Sequence, residues 1–149
     1  MNKRTFQSPP EEIDQSYYLS VLSRAPAHEV KGFVDRLIPE LGPIEVIQNR
    51  TALVMASMQD TAQGTTFFLG EVLVAEAHVR LGPAEGYAAC LGRDLQQALA
   101  IALIDAAIGA GIAGEQIAPF ISAQAAALDA DDQRLLEAVE ATRVEMETF

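Results

Sequence analysis

Three polar side chains recur at every second position of one apolar run: Glu76, His78 and Arg80 alternate with Ala75, Ala77, Val79 and Leu81. A period of two is the repeat of an extended strand, so all three project from one face of a sheet. Histidine titrates near neutrality and arginine grips phosphate through two parallel N–H groups, so the trio could move a proton or hold a phosphorylated ligand. The competing reading is a solvated or subunit-contacting face, because binding sites favour concave pockets over open sheets.

Two further places could carry chemistry. Gly92-Arg93-Asp94 precedes an apolar run, and glycine, a helix N-terminus and a guanidinium together make a potential phosphate cradle, with Arg80 and Arg93 the candidate substrate-binding residues. Asp94 opposes this, since a carboxylate capping the helix occupies the free N–H groups and repels a second anion. The plainer reading is a strand-to-helix turn. Asp105 is a carboxylate among Leu103, Ile104, Ala106 and Ala107. Burial would raise its pKa unless a cation or hydrogen bonds satisfied it, which makes it either a perturbed catalytic acid or, more commonly, the partner of an arginine.

Other chemistry finds no motif. The lone Cys90 cannot form an internal disulfide or hold a structural zinc or an iron–sulfur cluster by itself, and His28 stands far from any second metal ligand, so no metal is expected on this chain. There is no phosphate-binding Gly-x-x-x-x-Gly-Lys-Ser/Thr loop, no Gly-x-Ser-x-Gly nucleophile elbow, no His-Glu-x-x-His and no Cys-x-x-Cys.

Periodicity and breakers define the scaffold for these residues. Residues 1–10, ending in Ser8-Pro9-Pro10, have no apolar period and are expected to be flexible, ahead of a single domain over 11–149. Ile13, Tyr17, Val21 and Leu22 predict a first helix to about Arg24, and Val30, Phe33, Val34, Leu37 and Ile38 a second that stops at Pro39 and Gly42-Pro43, the two forming a hairpin. Strands are predicted over Glu45–Asn49, Ala52–Met58, Thr66–Leu81 with a bulge at Gly70, and Tyr87–Leu91. Short connections favour antiparallel pairing, giving a four-stranded sheet. Asp94 caps a third helix with Gln97 in the capping-box position, and Gly109, Gly111 and Gly114 close it. Pro119 is expected to interrupt the next segment, and Asp129 or Asp131 to cap a last helix bearing Leu135, Leu136, Val139 and Met146; beyond Arg143 helix and extended tail remain open alternatives. The class is α+β, with the long apolar helix and the C-terminal helices packed on the sheet.

That third helix is unusually apolar. Between Asp94 and Ile108 only Gln96, Gln97 and Asp105 are polar, whereas a surface helix keeps a broad solvated face. It needs cover on every side, and a partner subunit over Leu95, Leu99 and Leu103 is the expected source. The rest of the composition is that of an acidic globule: 149 residues, half of them apolar, with a formal charge of −11. Such a chain is repelled by nucleic acid and anionic lipid. No apolar run approaches the roughly 20 residues that span a bilayer, and Met1-Asn2-Lys3-Arg4 is not followed by the apolar core of a signal peptide, so a cytoplasmic location is expected.

An ordered set of residues within this frame carries a family resemblance: Gly64, Phe67-Phe68-x-Gly70, Val79-Arg80-Leu81, Gly86-Tyr87, Leu91-Gly92-Arg93-Asp94 and Ala102-Leu103-Ile104-Asp105-Ala106, with Ser20-Val21-Leu22 and Ala141-Thr142-Arg143-Val144 further out. The set resembles the G subunit of the bacterial carbon–phosphorus lyase system. The resemblance implies a component of the complex with the H, I and J subunits that breaks down organic phosphonates. It implies a part, with the I, H and L subunits, in forming α-D-ribose 1-methylphosphonate 5-triphosphate, in which a phosphonate oxygen displaces adenine from ATP at the ribose anomeric carbon. ATP and Mg²⁺ would then be used by the complex and no cofactor held by this chain alone, whose role would be structural or supporting. Two other readings stay open. One is a free-standing homodimeric adaptor using the apolar helix; the other is a small phosphate-ester-handling enzyme using Glu76, His78 and Asp105.

Overall fold

A computed structural model describes residues 13–144. Helix α1 (Gln15–Arg24) and helix α2 (Ala27–Leu41) lead into strands β1 (Ile44–Gln59), β2 (Thr66–Leu81) and β3 (Ala84–Leu91), followed by helices α3 (Leu95–Ala110) and α4 (Gly114–Ala141). The class is α+β as expected, but the antiparallel sheet has three strands in the order β1-β2-β3, not four. Gln48-Asn49-Arg50-Thr51 is polar yet contains neither glycine nor proline, so nothing turns the chain there and the two expected strands run on as one. The expectations for residues 1–10 and for the chain's end beyond Val144 lie outside the described residues.

Local chemistry explains the boundaries. Asp14 caps α1 by accepting from the Tyr17 N–H, and Asp94 caps α3 by accepting from the Gln97 N–H. Gly111, in the left-handed region at φ 71°, ends α3 and returns its N–H to the last carbonyls. The expected bulge at Gly70 is present: Ala56 faces Gly70 and Ser57 faces Phe68, leaving Leu69 as the extra residue, and a second irregularity leaves Ile47 unpaired on β1. Pro119 does not interrupt α4. It lies in the second turn, where it removes one N–H, and the helix continues past Asp129 and Asp131 instead of restarting there.

The core lies between one face of β2 and β3 and the four helices. Ala75, Ala77, Val79 and Leu81 of β2, with Ala88 and Cys90 of β3, bury against α3, while Glu76, His78 and Arg80 point the other way. α1 buries Val21 and Leu22 as expected, but Tyr18 in place of Tyr17, so Ile13 and Tyr17 stay on the surface. α1 and α2 lean on α3, and α1 also on α4, rather than lying along each other as a hairpin. That arrangement covers most of the apolar helix from within the chain and leaves Leu95 and part of Leu99 open. Residues 100–107 of α3 are continuously buried, covered by β2 and β3 on one side and by α1, α2 and α4 on the others. No helix among the described residues is long and apolar enough to cross a membrane.

The β1–β2 pair outgrows this core. β3 ends at Leu91 opposite Val74, whereas β1 and β2 continue as a two-stranded ribbon to the turn at Asp60–Thr65.

Candidate functional site

The outer face of the sheet carries a ladder of paired charges. Arg50 on β1 stands opposite Glu76 on β2 and donates through Nε to its Oε1 at 2.5 Å; Tyr87 on β3 donates its hydroxyl to Oε2 at 2.6 Å. One step along, His78 Nε2 lies 2.9 Å from Glu85 Oε2. Arg80 closes the ladder, reaching Glu85 Oε1 at 2.9 Å and Glu45 Oε2 at 3.1 Å. The hydrogen bond from Tyr87, then that from Arg50, holds the Glu76 carboxyl below its usual range, and Arg80, then His78, does the same for Glu85. The Tyr87 phenol is pushed up, chiefly by bonding to Glu76.

This arrangement disfavours the anion site that the trio suggested. Three carboxylates face two guanidinium groups, and both guanidinium groups are already taken. Nor do the carboxylates fit a Mg²⁺ site, because their oxygens are spent on arginine, histidine and tyrosine donors; among the described residues no group of three or more His, Cys, Asp or Glu gathers as metal ligands. Arg50, Tyr87, Glu85 and Glu45 were missing from the sequence-level site. Strand register alone makes Arg50 oppose Glu76 and Glu85 oppose Arg80, and register is not visible without the pairing.

Asp105 is on the other side of the sheet. Its side chain is 5% exposed and fully bonded: Oδ1 accepts from the Tyr18 hydroxyl at 2.5 Å and the Gln15 amide at 3.0 Å, and Oδ2 accepts from the Tyr87 backbone N–H at 2.9 Å. The expected arginine is replaced by two neutral side chains and an edge-strand N–H, which ties α1, α3 and β3 together through one carboxylate. Burial, followed by the bond to Asp105, drives the Tyr18 phenol well above its ordinary range. Glu76 and His78 therefore cannot meet Asp105 in one catalytic group, since the sheet separates them.

The neighbouring glycines fit the same joint. A Cβ on Gly86 would run into Ala102 O and Ala106 N and lie 2.8 Å from the Ala106 Cβ, so only glycine lets the α3 backbone come this close to β3. Gly92 adopts φ 98° and donates its N–H to Leu73 O at 3.0 Å, turning the chain from β3 into α3. Asp94 then accepts from Gln97 N at 3.0 Å and from Lys31 Nζ of α2 at 2.6 Å, which holds its carboxyl below the usual range, Lys31 being the larger cause. The strand-to-helix reading of this turn is the one the geometry supports. Arg93 is exposed beside it, with no ion pair among the described residues.

Of the proposed partner-facing leucines, Leu103 is buried at 5% exposure and Leu95 is at 36%. Leu99 is half-buried and lines, with Lys31, Ile38 and Leu103, a groove between α2 and α3. Cys90 is buried, which pushes its thiol up.

A family model described as "Phosphonate metabolism protein PhnG" matches residues 15–149. Over 112 residues the chain is 35% identical to "Alpha-D-ribose 1-methylphosphonate 5-triphosphate synthase subunit PhnG" of Rhizobium meliloti (strain 1021), covering 74% of this chain and 70% of that protein.

Proposed function

The chain belongs to the PhnG family of phosphonate metabolism proteins, and on that basis we propose that it is a non-catalytic subunit of the carbon–phosphorus lyase core complex. Its partners there are the H, I and J subunits, with the L subunit joining for the synthase step, in the cytoplasm. In that step ATP and methylphosphonate give α-D-ribose 1-methylphosphonate 5-triphosphate and free adenine, with ATP and Mg²⁺ bound by other subunits.

One observation supports the supporting role above all: the residues of the family resemblance that could have served chemistry at the β3–α3 joint are consumed in packing. Gly86 admits α3, Gly92 turns the chain, Asp94 caps α3 and binds Lys31, and Asp105 holds β3 and α1. Attack at an anomeric carbon needs stabilised oxocarbenium-like charge and two positioned anions, and a chain of −11 whose Arg50 and Arg80 are closed by carboxylates is poorly suited to hold them.

The test is reconstitution. Adenine release from ATP and methylphosphonate is measured for the full set of subunits, for the set lacking this chain, and for this chain alone with Mg²⁺. Activity in the first case only is expected. Adenine release by the isolated chain, or a micromolar dissociation constant for ATP by calorimetry, would refute the non-catalytic role.

A further inference from the structure

The distal half of the β1–β2 ribbon exposes a dense set of large apolar side chains on both of its faces. Leu53, Val54, Met55, Phe67, Phe68 and Leu69 are between 45% and 67% exposed. Summed over both faces they present on the order of 700 Å², comparable with the about 800 Å² that one partner gives to a standard interface when the ribbon is enclosed on both sides. The surface is two-sided: Leu53 opposes Leu73 on one face and Val54 opposes Val72 on the other. β1 is an edge strand throughout, and β3 stops short of the ribbon, so both edges are open. An isolated two-stranded ribbon is at best marginally stable in water.

Charge decides what covers it. Between Arg50 and Arg80 the chain has no lysine or arginine, and with Glu76 already paired to Arg50 this leaves Asp60 and Glu71 without a cation among the described residues. Two copies meeting ribbon to ribbon would bring uncompensated carboxylates together on molecules of −11 each, which disfavours a second copy as the occupant. We propose that the ribbon is the element by which this chain is anchored in its assembly, inserting into an apolar groove of another synthase subunit that presents lysine or arginine opposite Glu71. This rests on the subunit reading and names the surface that carries it, one distinct from the α3 leucines.

The experiment co-expresses the full chain with the other synthase subunits of the same organism and purifies the complex. Hydrogen exchange on the unmodified complex comes first: amides of residues 51–72 exchange about tenfold more slowly than in the chain alone. The double variant Leu53→Lys, Phe68→Lys alters exposed positions only, keeps the melting temperature of the isolated chain, and lowers affinity for the complex about a hundredfold or more. Glu71→Lys weakens assembly about tenfold, and Glu71→Gln by less. Ribbon amides that stay unprotected in the complex, or a double variant that assembles like the original, would overturn the proposal. So would an isolated chain that is a dimer and becomes monomeric in the double variant, since the occupant would then be a second copy. Failure of the unmodified chain to join any synthase subunit removes the subunit reading itself, and it is told apart because it involves no ribbon substitution.

Discussion

Replacing Gly86 by alanine tests the joint on which the rest of the fold leans. The added methyl would lie inside contact distance of Ala102 O and Ala106 N and 2.8 Å from the Ala106 Cβ, and helix backbone cannot rotate away as a side chain can. α3 must back off from β3. Overpacking of this kind costs about 1–3 kcal/mol. The retreat also lengthens the bond from the Tyr87 N–H to Asp105 Oδ2, and a buried polar group left unsatisfied costs about 1–3 kcal/mol more. The expected loss is about 4 kcal/mol, a large fraction of the roughly 5–15 kcal/mol that holds a domain together. At about 2–4 °C per kcal/mol the melting temperature falls by about 8–16 °C. Urea unfolding followed by circular dichroism and a calorimetric scan measure both quantities. Gly109→Ala is the control. Its Cβ meets only the Ala84 Cβ, at 3.8 Å, inside a regular helix turn, so that change is neutral or stabilises by up to about 1 kcal/mol. If Gly86→Ala stayed within about 1 kcal/mol of the original, the close approach of α3 to β3 would not be what glycine provides here.

Three other outcomes are expected. Because the folded pKa of Tyr18 lies above its unfolded value, its contribution is present below about pH 10 and is lost as pH rises towards the folded pKa; alkaline melts should show this loss in the original chain and not in Tyr18→Phe. Asp94 is shifted the opposite way, so its contribution is present above its ordinary value near 3.8 and fades as pH falls through the lower folded pKa. Asp94→Ala should cost about 1 kcal/mol in urea titrations at pH 7 through loss of the cap, with the difference from the original shrinking in acid. In an assembled complex, Glu76→Gln and His78→Ala should leave phosphonate turnover within a few-fold, where general acid–base participation would cost about 10²–10⁴-fold; a hundredfold loss with assembly intact would make the outer face a catalytic one.

Much of the architecture is legible because it is local. Asp94 with Gln97, and Gly111 after the last apolar turn, mark α3 at both ends, and the bulge beside Gly70 follows from glycine in a strand. The errors come from long-range terms. Whether Asn49-Arg50-Thr51 breaks a strand depends on β2 running alongside. The chemistry divides likewise. Period two places Glu76, His78 and Arg80 on one face, but their quenching by Arg50, Glu85 and Glu45 is a property of register. Asp105 stands out as an anomaly in its sequence, yet its donors lie on two other elements, α1 and β3.

The bond from Tyr87 to Asp105 also sets a timetable. It closes a loop of 18 residues, whereas the same carboxylate meets Tyr18 across 87. Loop-closure entropy rises only logarithmically, but contacts of short sequence separation still form first, so β3 and α3 are placed to assemble as a nucleus onto which α1 docks late. A chain built this way gains its α1 contacts only after the strand-to-helix unit exists. Stopped-flow refolding should then show Gly86→Ala slowing folding, while Tyr18→Phe mainly accelerates unfolding. The reverse pattern would place the nucleus among the N-terminal helices. Gly86, Tyr87 and Asp105 would thus govern when the chain becomes a body able to present its ribbon, as well as the shape it finally takes.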